Sequence, residues 1–344
     1  MTLSTQGQAA SGLRRVWASA QDVLALIVML GLIVLVMGRG SDLFLTSRNI
    51  TNLLMDSTTV AVIAVFMTML IISGGLDLSV ASTTALCGVI IGAMQDSAGL
   101  WQGVMVALLI GGLIGFINGF LVTYVGINPL ITTLGMLSIA RGLAFVVADG
   151  LTIPVIDMTG QQTEAYTTYT QLSEGKIGTI PIPIVFVVGL FIVGLIVLRY
   201  TTYGRAVYTI GDNEKAAYLA GLPVKRYRMM TYILCGLGAA IAAVFLTARL
   251  YAADPRAAPN IELTVITAVV LGGTSLAGGQ GSLIGTLLGV LILSGLLNGL
   301  KLQSVSTEMQ NITQGIVLLL AVGIDQVRQG KIHLRRPWFM KAKR

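Results

Sequence analysis

Apolar runs of about twenty residues recur along almost the whole chain, and no other feature leaves it so few folds. Hydrocarbon offers a backbone no hydrogen-bond partners, so a spanning segment must satisfy its own N–H and C=O groups. Continuous apolar runs at about 1.5 Å rise per residue do this as helices. Composition agrees: the 344 residues are 55% hydrophobic and 11% charged, with a mean hydropathy of +0.84, a surface that a water-soluble domain of this size would not tolerate. The reading is an all-α, polytopic membrane protein with about ten transmembrane helices, over 22–38, 50–72, 79–96, 101–125, 129–148, 183–199, 229–251, 264–277, 281–300 and 308–325. The run 264–277 is too short to cross unaided, and the Gly-rich joints at 73–75 and 272–279 read as breaks within spans, so eight to eleven spans fit.

Lys and Arg stay on the cytoplasmic side of short loops. Seven lie in the tail 326–344 (Arg328, Lys331, Arg335, Arg336, Lys341, Lys343 and Arg344), six between Arg199 and Arg228, and two, Arg14 and Arg15, in the N-terminal arm. Ten spans put all of them on one side, while the opposite loop 149–182 carries Asp149, Asp157, Glu164 and Glu174 against Lys176 alone. The expected organisation is therefore N-in and C-in. It comprises a cytoplasmic arm at 1–21, one transmembrane domain at 22–325 with a cytoplasmic segment at 200–228 and an outer loop at 149–182, and a basic cytoplasmic tail at 326–344. The net charge of +7 is assigned to the membrane surface rather than to nucleic acid. Cys87 and Cys235 fall inside spans and read as buried free thiols. With His333 as the single histidine, a histidine metal centre or catalytic triad has almost no material, and no cofactor or enzymatic activity is expected.

Tyr200–Met229 is the one long polar stretch. Gly211 is read as freeing a turn, Asp212 as an N-cap, Asn213 to Ala220 as about two helical turns, and Gly221 with Pro223 as a stop. Ala216, Ala217, Leu219 and Ala220 offer a small apolar face, suited either to a partner's groove or to the bilayer surface. Leu276-Ala277-Gly278-Gly279-Gln280 looks like an ATPase signature loop, but Gly175-Lys176 and Gly330-Lys331 are both followed by Ile, so no phosphate-cradling P-loop is present.

Four blocks carry a family likeness. The run from Tyr203 to Ala217 resembles the cytoplasmic coupling segment of the permease subunits of bacterial ABC sugar importers, in the ribose/xylose/arabinose-type branch. Ser73 to Val80, Thr133 to Gly142 and Val269 to Gly279 are similar to the same family, and together the likeness covers about 45–328. It implies the type II ABC importer permease fold in the bacterial inner membrane, paired with a second copy or a paralogous permease. It also implies ATPase subunits on the cytoplasmic face and a periplasmic binding protein that delivers a monosaccharide: a pentose, hexose or cyclic polyol. The chain departs from the pattern at Ala81 and Thr132, and its outer loop 156–180 is individual.

The helix reading and the resemblance together make Gly211, Asp212, Asn213, Glu214, Ala216, Ala217 and Gly221 the candidates for ATPase coupling. Candidates for a pathway or gate are Asp77, Asn118, Thr132, Thr133, Arg141, Thr274 and Ser275. Asp77 reads either as a pathway carboxylate or as a cap that accepts N–H groups of Ser79 or Val80. Arg141, costly in lipid by about 2.5–3.5 kcal/mol, must face protein or water, held by Asp56, Asp77 or freed carbonyls, or else touching a sugar hydroxyl. Asn128-Pro129 reads as a helix start, Gly111, Gly112, Gly115, Asn118 and Gly119 as close helix packing, and Asn298, Gln310, Asn311, Thr313 and Gln314 as polar atoms needing partners. The pairs Gly74-Gly75 and Gly272-Gly273 hint at duplicated halves, but the spacings to Asn118-Gly119 and Asn298-Gly299 disagree. The competing function is a proton- or sodium-coupled secondary transporter that uses Asp77 or Asp56; a membrane enzyme lacks a cluster of catalytic side chains.

Overall fold

The computed structural model describes residues 4–155 and 164–328. Asp157, the tail beyond Arg328 with His333, and the side chains of Arg14 and Arg15 lie outside this description. The helices in chain order are α1 (Ser4–Gly40), α2 (Ser47–Ile72), α3 (Val80–Met94), α4 (Leu100–Phe120, continued by a π turn Leu121–Val125), α5 (Pro129–Val147), α6 (Glu164–Glu174), α7 (Ile182–Tyr200), α8 (Thr202–Asp212), α9 (Glu214–Leu219), α10 (Val224–Leu250), α11 (Ile261–Leu271), α12 (Leu283–Leu302) and α13 (Thr307–Arg328). Two small antiparallel pairs, Ile153–Pro154 with Ala252–Ala253 and Lys176–Ile177 with Ile180–Pro181, lie in the connecting segments.

Each of the ten expected runs coincides with a helix. Seven are long and apolar enough to cross a bilayer, namely the stretches Val23–Gly40, Ser47–Ile72, Leu100–Val125, Pro129–Val147, Ile182–Tyr200, Val224–Leu250 and Leu283–Leu302. α3 and α11 are apolar but only 15 and 11 residues long, and α13 mixes apolar with polar residues. The expected run 264–277 stops at Leu271, because the glycines that follow close the helix.

That closure has a twin. At the end of α2 the Gly75 amide donates to the Leu70 carbonyl and Gly74 to Ile71; at the end of α11 Thr274 donates to Val269 and Gly273 to Val270. Both are Schellman closures, which require a left-handed residue after the helix. Gly74 (φ +82°) and Gly273 (φ +88°) supply it. Gly74 and Gly273 therefore do the same backbone work, although the first opens its Gly-Gly pair and the second closes its own.

Helix starts follow local chemistry. Asn128 accepts the Leu130 amide at 2.9 Å with Pro129 in the first turn of α5, and Ser282 caps α12 through the Gly285 amide. α2 lies at the centre, buried almost continuously from Ser57 to Ile72. α4 crosses α10 with backbones in contact: a Cβ at Gly111 would strike Ala240 and the Gly236 carbonyl, and one at Gly115 the Tyr232 carbonyl. Packing, the role expected of these small residues, is what they do. α1 lies at the periphery beside α12 with Leu24, Ile27, Val28 and Leu32 exposed, as lipid-facing side chains are.

Several polar groups on the spans find partners across helices, as hydrocarbon favours. Asn49 and Asn298 exchange two amide hydrogen bonds of 2.9 and 3.2 Å, Thr68 meets Thr286 at 2.8 Å, and Gln314 donates to Thr264 at 2.9 Å. Asp56 pairs with Arg249 at 2.9 Å. Cys87 and Cys235 are free and buried.

Candidate functional site

The end of α2 and the loop that follows the α11 closure meet at α8. The Gly279 amide donates to the Ile72 carbonyl at 2.8 Å, and Gly211 sits directly over this bond. A Cβ at 211 would collide with the Ile72 carbonyl and the Gly279 amide, so only glycine lets α8 approach. Tyr208 of α8 donates its hydroxyl to the Gly281 carbonyl at 2.9 Å. Arg228 of α10 bridges further: its Nη2 meets Glu214 at 2.9 Å and its Nε donates to the Ser73 carbonyl at 3.4 Å. The end of α2, the loop that follows α11, the start of α10 and the α8–α9 segment thus form one joint.

Within that segment two expectations change. Asn213, not Asp212, caps α9: its backbone is extended (φ −154°) and its Oδ1 accepts the Ala216 amide at 3.0 Å. α8 keeps its helical bonding through Asn213 N–H to Thr209 C=O, which absorbs Asp212 and moves the cap one residue on. Gly211 is therefore helical, and its small size serves close approach rather than a turn; Gly221 (φ +82°) is the glycine that turns. Ala217 faces inward, fully buried with Ala206, Ile210 and Val224. The large apolar side chains that α9 exposes are Tyr218 and Leu219, 72% and 84% exposed, beside a groove of about 910 Å³ whose walls include Tyr124, Leu222 and Pro223.

Asp77 is fully enclosed between α2 and α3. Its Oδ1 accepts the Ser79 amide at 2.8 Å and the Ser79 hydroxyl at 2.6 Å, and Asn118 of α4 points its Nδ2 at both carboxylate oxygens from 3.3–3.4 Å. A carboxylate so furnished fixes the start of α3 and ties it to α4. Thr274 is buried in the joint, and Ser275 staples the 272–281 loop through its amide to Gln280 and its hydroxyl to the Ala277 amide and Asp325. On α5, Thr133 donates to the Pro129 carbonyl, and Thr132 is buried without a hydroxyl partner among the described residues.

Arg141 is separate from all of these. Its Nη1 donates to the carbonyls of Pro255 (2.6 Å) and Ala257 (3.0 Å), so freed carbonyls hold it, and neither Asp56 nor Asp77 does. The segment it holds is shaped by Asp254, whose carboxylate accepts the Thr152 hydroxyl at 2.6 Å and the Arg256 amide at 2.7 Å. Burial pushes the Asp254 carboxyl up, but these hydrogen bonds and the nearby Arg256 and Arg141 outweigh it and hold it below the usual range. The structure thus joins Asp77 to Asn118 and gathers Gly211, Glu214, Thr274 and Ser275 into the joint, while Arg141 belongs to another cavity. Sequence reasoning passed over Tyr208, Tyr218 and Arg228, which read only as parts of a polar, basic loop. Partners remote in sequence mark Tyr208 and Arg228, and exposure marks Tyr218.

The family described as branched-chain amino acid transport system / permease component matches residues 49–322. The chain is 40% identical to a ribose import permease protein of Bacillus subtilis over 287 residues, 82% of this chain and 86% of that protein. It is 36% identical to a ribose import permease protein of Escherichia coli K12 over 327 residues (94% and 99%), and 37% identical to an L-arabinose ABC transporter permease protein of Azospirillum brasilense over 289 (84% and 83%). No solved structure matches it significantly. Together with the helical bundle and its joint, these likenesses show that the chain belongs to the branched-chain amino acid transport system permease family, among its sugar ABC permeases.

Proposed function

We propose that the chain is the membrane-spanning subunit of an ATP-binding-cassette importer for a monosaccharide, oriented N-in and C-in in a bacterial inner membrane. It works with a second copy or a paralogous permease, with ATPase subunits, and with a periplasmic binding protein that delivers the sugar. The observation that carries this reading is the joint: an exposed apolar knob, Tyr218 and Leu219, on a helix whose base is fastened to the end of α2 and to the loop that follows α11. A partner that grips the knob and moves with nucleotide state pulls on α2, α10 and α11 together, which biases a two-state bundle between inward and outward openings. The ribose and arabinose relatives support a pentose, with hexose and cyclic polyol as the other classes. The secondary-transporter reading finds no support in Asp77, whose carboxylate is engaged by Ser79 and Asn118.

Co-purification of the tagged chain from its own membranes in mild detergent tests this. The expected result is a stoichiometric ATPase subunit, with sugar uptake that fails on ATP depletion. Recovery of the chain alone, with uptake abolished by a protonophore and untouched by ATP depletion, would contradict it.

A further inference from the structure

A second cavity, of about 360 Å³, opens between α3, α5 and the start of α11, remote from the joint. Its volume falls within the range of small-molecule sites. Ser82 lines it, fully buried, with no hydrogen-bond partner for its hydroxyl among the described residues. Glu262 lines it from the first turn of α11, and its Oε2 is likewise buried and unpartnered among those residues. Arg141 and Asn260 contribute further polar groups, and Phe145 lies on the wall with the Arg256 guanidinium 5.4 Å from its ring centroid. Buried polar groups are ordinarily satisfied, because each left alone has given up its hydrogen bonds to water with nothing in return. Two in one cavity point to a ligand that satisfies them.

We infer that this cavity is a transit site for a neutral polyhydroxylated ligand, which meets Ser82 and Glu262 as it passes through the permease. The charges select that class. An anion would face the Glu262 carboxylate and a cation the Arg141 and Arg256 guanidinia, whereas an uncharged ligand meets neither penalty. The Glu262 carboxylate accepts only, so it calls for hydroxyl donors. The Ser82 hydroxyl and the Asn260 amide both donate and accept, and the Phe145 ring offers an apolar face to C–H groups. A sugar ring presents all of these at once. This inference rests on the importer reading and adds the residues that touch the cargo.

The test replaces Ser82 by Cys in a chain whose Cys87 and Cys235 are changed to Ala, and follows its reaction with a small methanethiosulfonate reagent in membranes that hold the complete transporter. D-ribose, L-arabinose and myo-inositol are the probes, with ribose 5-phosphate as the charged control. Uptake of each probe is measured in parallel. The expected result is that a transported probe slows labelling several-fold during turnover, that ribose 5-phosphate does not, and that Glu262→Gln, with Ser82 intact, lowers uptake about tenfold while ATPase co-purification is unchanged. ATP-driven uptake without protection of the Ser82→Cys thiol, together with an unimpaired Glu262→Gln protein, would overturn the transit site and leave the importer reading standing. Should Ser82→Cys fail to fold, Glu262→Gln decides alone, its unimpaired uptake overturning the site. Absence of ATP-driven uptake for every probe would overturn both.

Discussion

The joint at α8 and the cavity at Arg141 are built on opposite principles. At the joint, glycines bring backbone against backbone: Gly211 rests on Ile72 and Gly279, with no space for a methyl group. At the cavity, space is kept open and polar groups of Ser82 and Glu262 remain unpartnered among the described residues. Close packing transmits displacement because it cannot deform gradually, whereas an open polar cavity accepts a guest. Under the proposed importer reading, the first region suits force transmission and the second contact with cargo.

The largest effect is expected at the joint. Gly211→Val places branched carbon where two backbone groups already lie, and overpacking of this kind costs about 1–3 kcal/mol or more. The thermal midpoint of the detergent-solubilised protein should fall by several degrees. Gly112→Ala on α4 is the control: its Cβ meets only the Leu237 side chain at 3.4 Å and should be tolerated.

Next comes Asn118→Leu, which removes the amide facing both oxygens of Asp77 and leaves a buried carboxylate with Ser79 alone. A loss of about 1–3 kcal/mol follows, measurable by the same assay. Asp77→Asn should restore part of it, since the charge that needs the amide is then gone.

Glu214→Gln is smaller. Glu214 is 56% exposed on its side chain, so its ion pair with Arg228 contributes at most about 1 kcal/mol. Little change in melting is expected, and truncation of Arg228, which also reaches Ser73, should cost more than loss of Glu214. The smallest effect lies near the cavity. The Asp254 carboxyl is held low, so its stabilisation is present above the ordinary carboxylate range and lost as pH falls through the depressed value. A melting series across acidic pH should show Asp254→Asn converging on the unaltered protein at the lowest pH.

The helices were legible in the sequence because hydrocarbon imposes one solution on an apolar run, and Asn128-Pro129 marked a start that the structure keeps. The glycine breaks at 73–75 and 272–279 were legible too, as the run 264–277 was visibly too short. What was not legible depends on distant partners. Gly211 reads as a turn glycine until Ile72 and Gly279 are placed against it, and Ala217 reads as part of a docking face until Val224 and Ile210 cover it. Freed carbonyls were among the partners that the sequence offered Arg141, but nothing in it pointed to those of Pro255 and Ala257. Glu262 and Ser82 carried no signal at all, since their interest lies in partners they lack among the described residues.

The central claim is that the exposed end of α9 is the handle through which a partner moves the bundle. Leu219→Asp tests it most directly, because Leu219 is 84% exposed and its replacement leaves the internal packing of Ala217 untouched. Thermal melting, ATPase co-purification and ATP-driven uptake are measured together on that one variant. Unchanged melting with ATPase association and uptake both lost is the predicted result. Unchanged melting with association and uptake both retained would contradict the account.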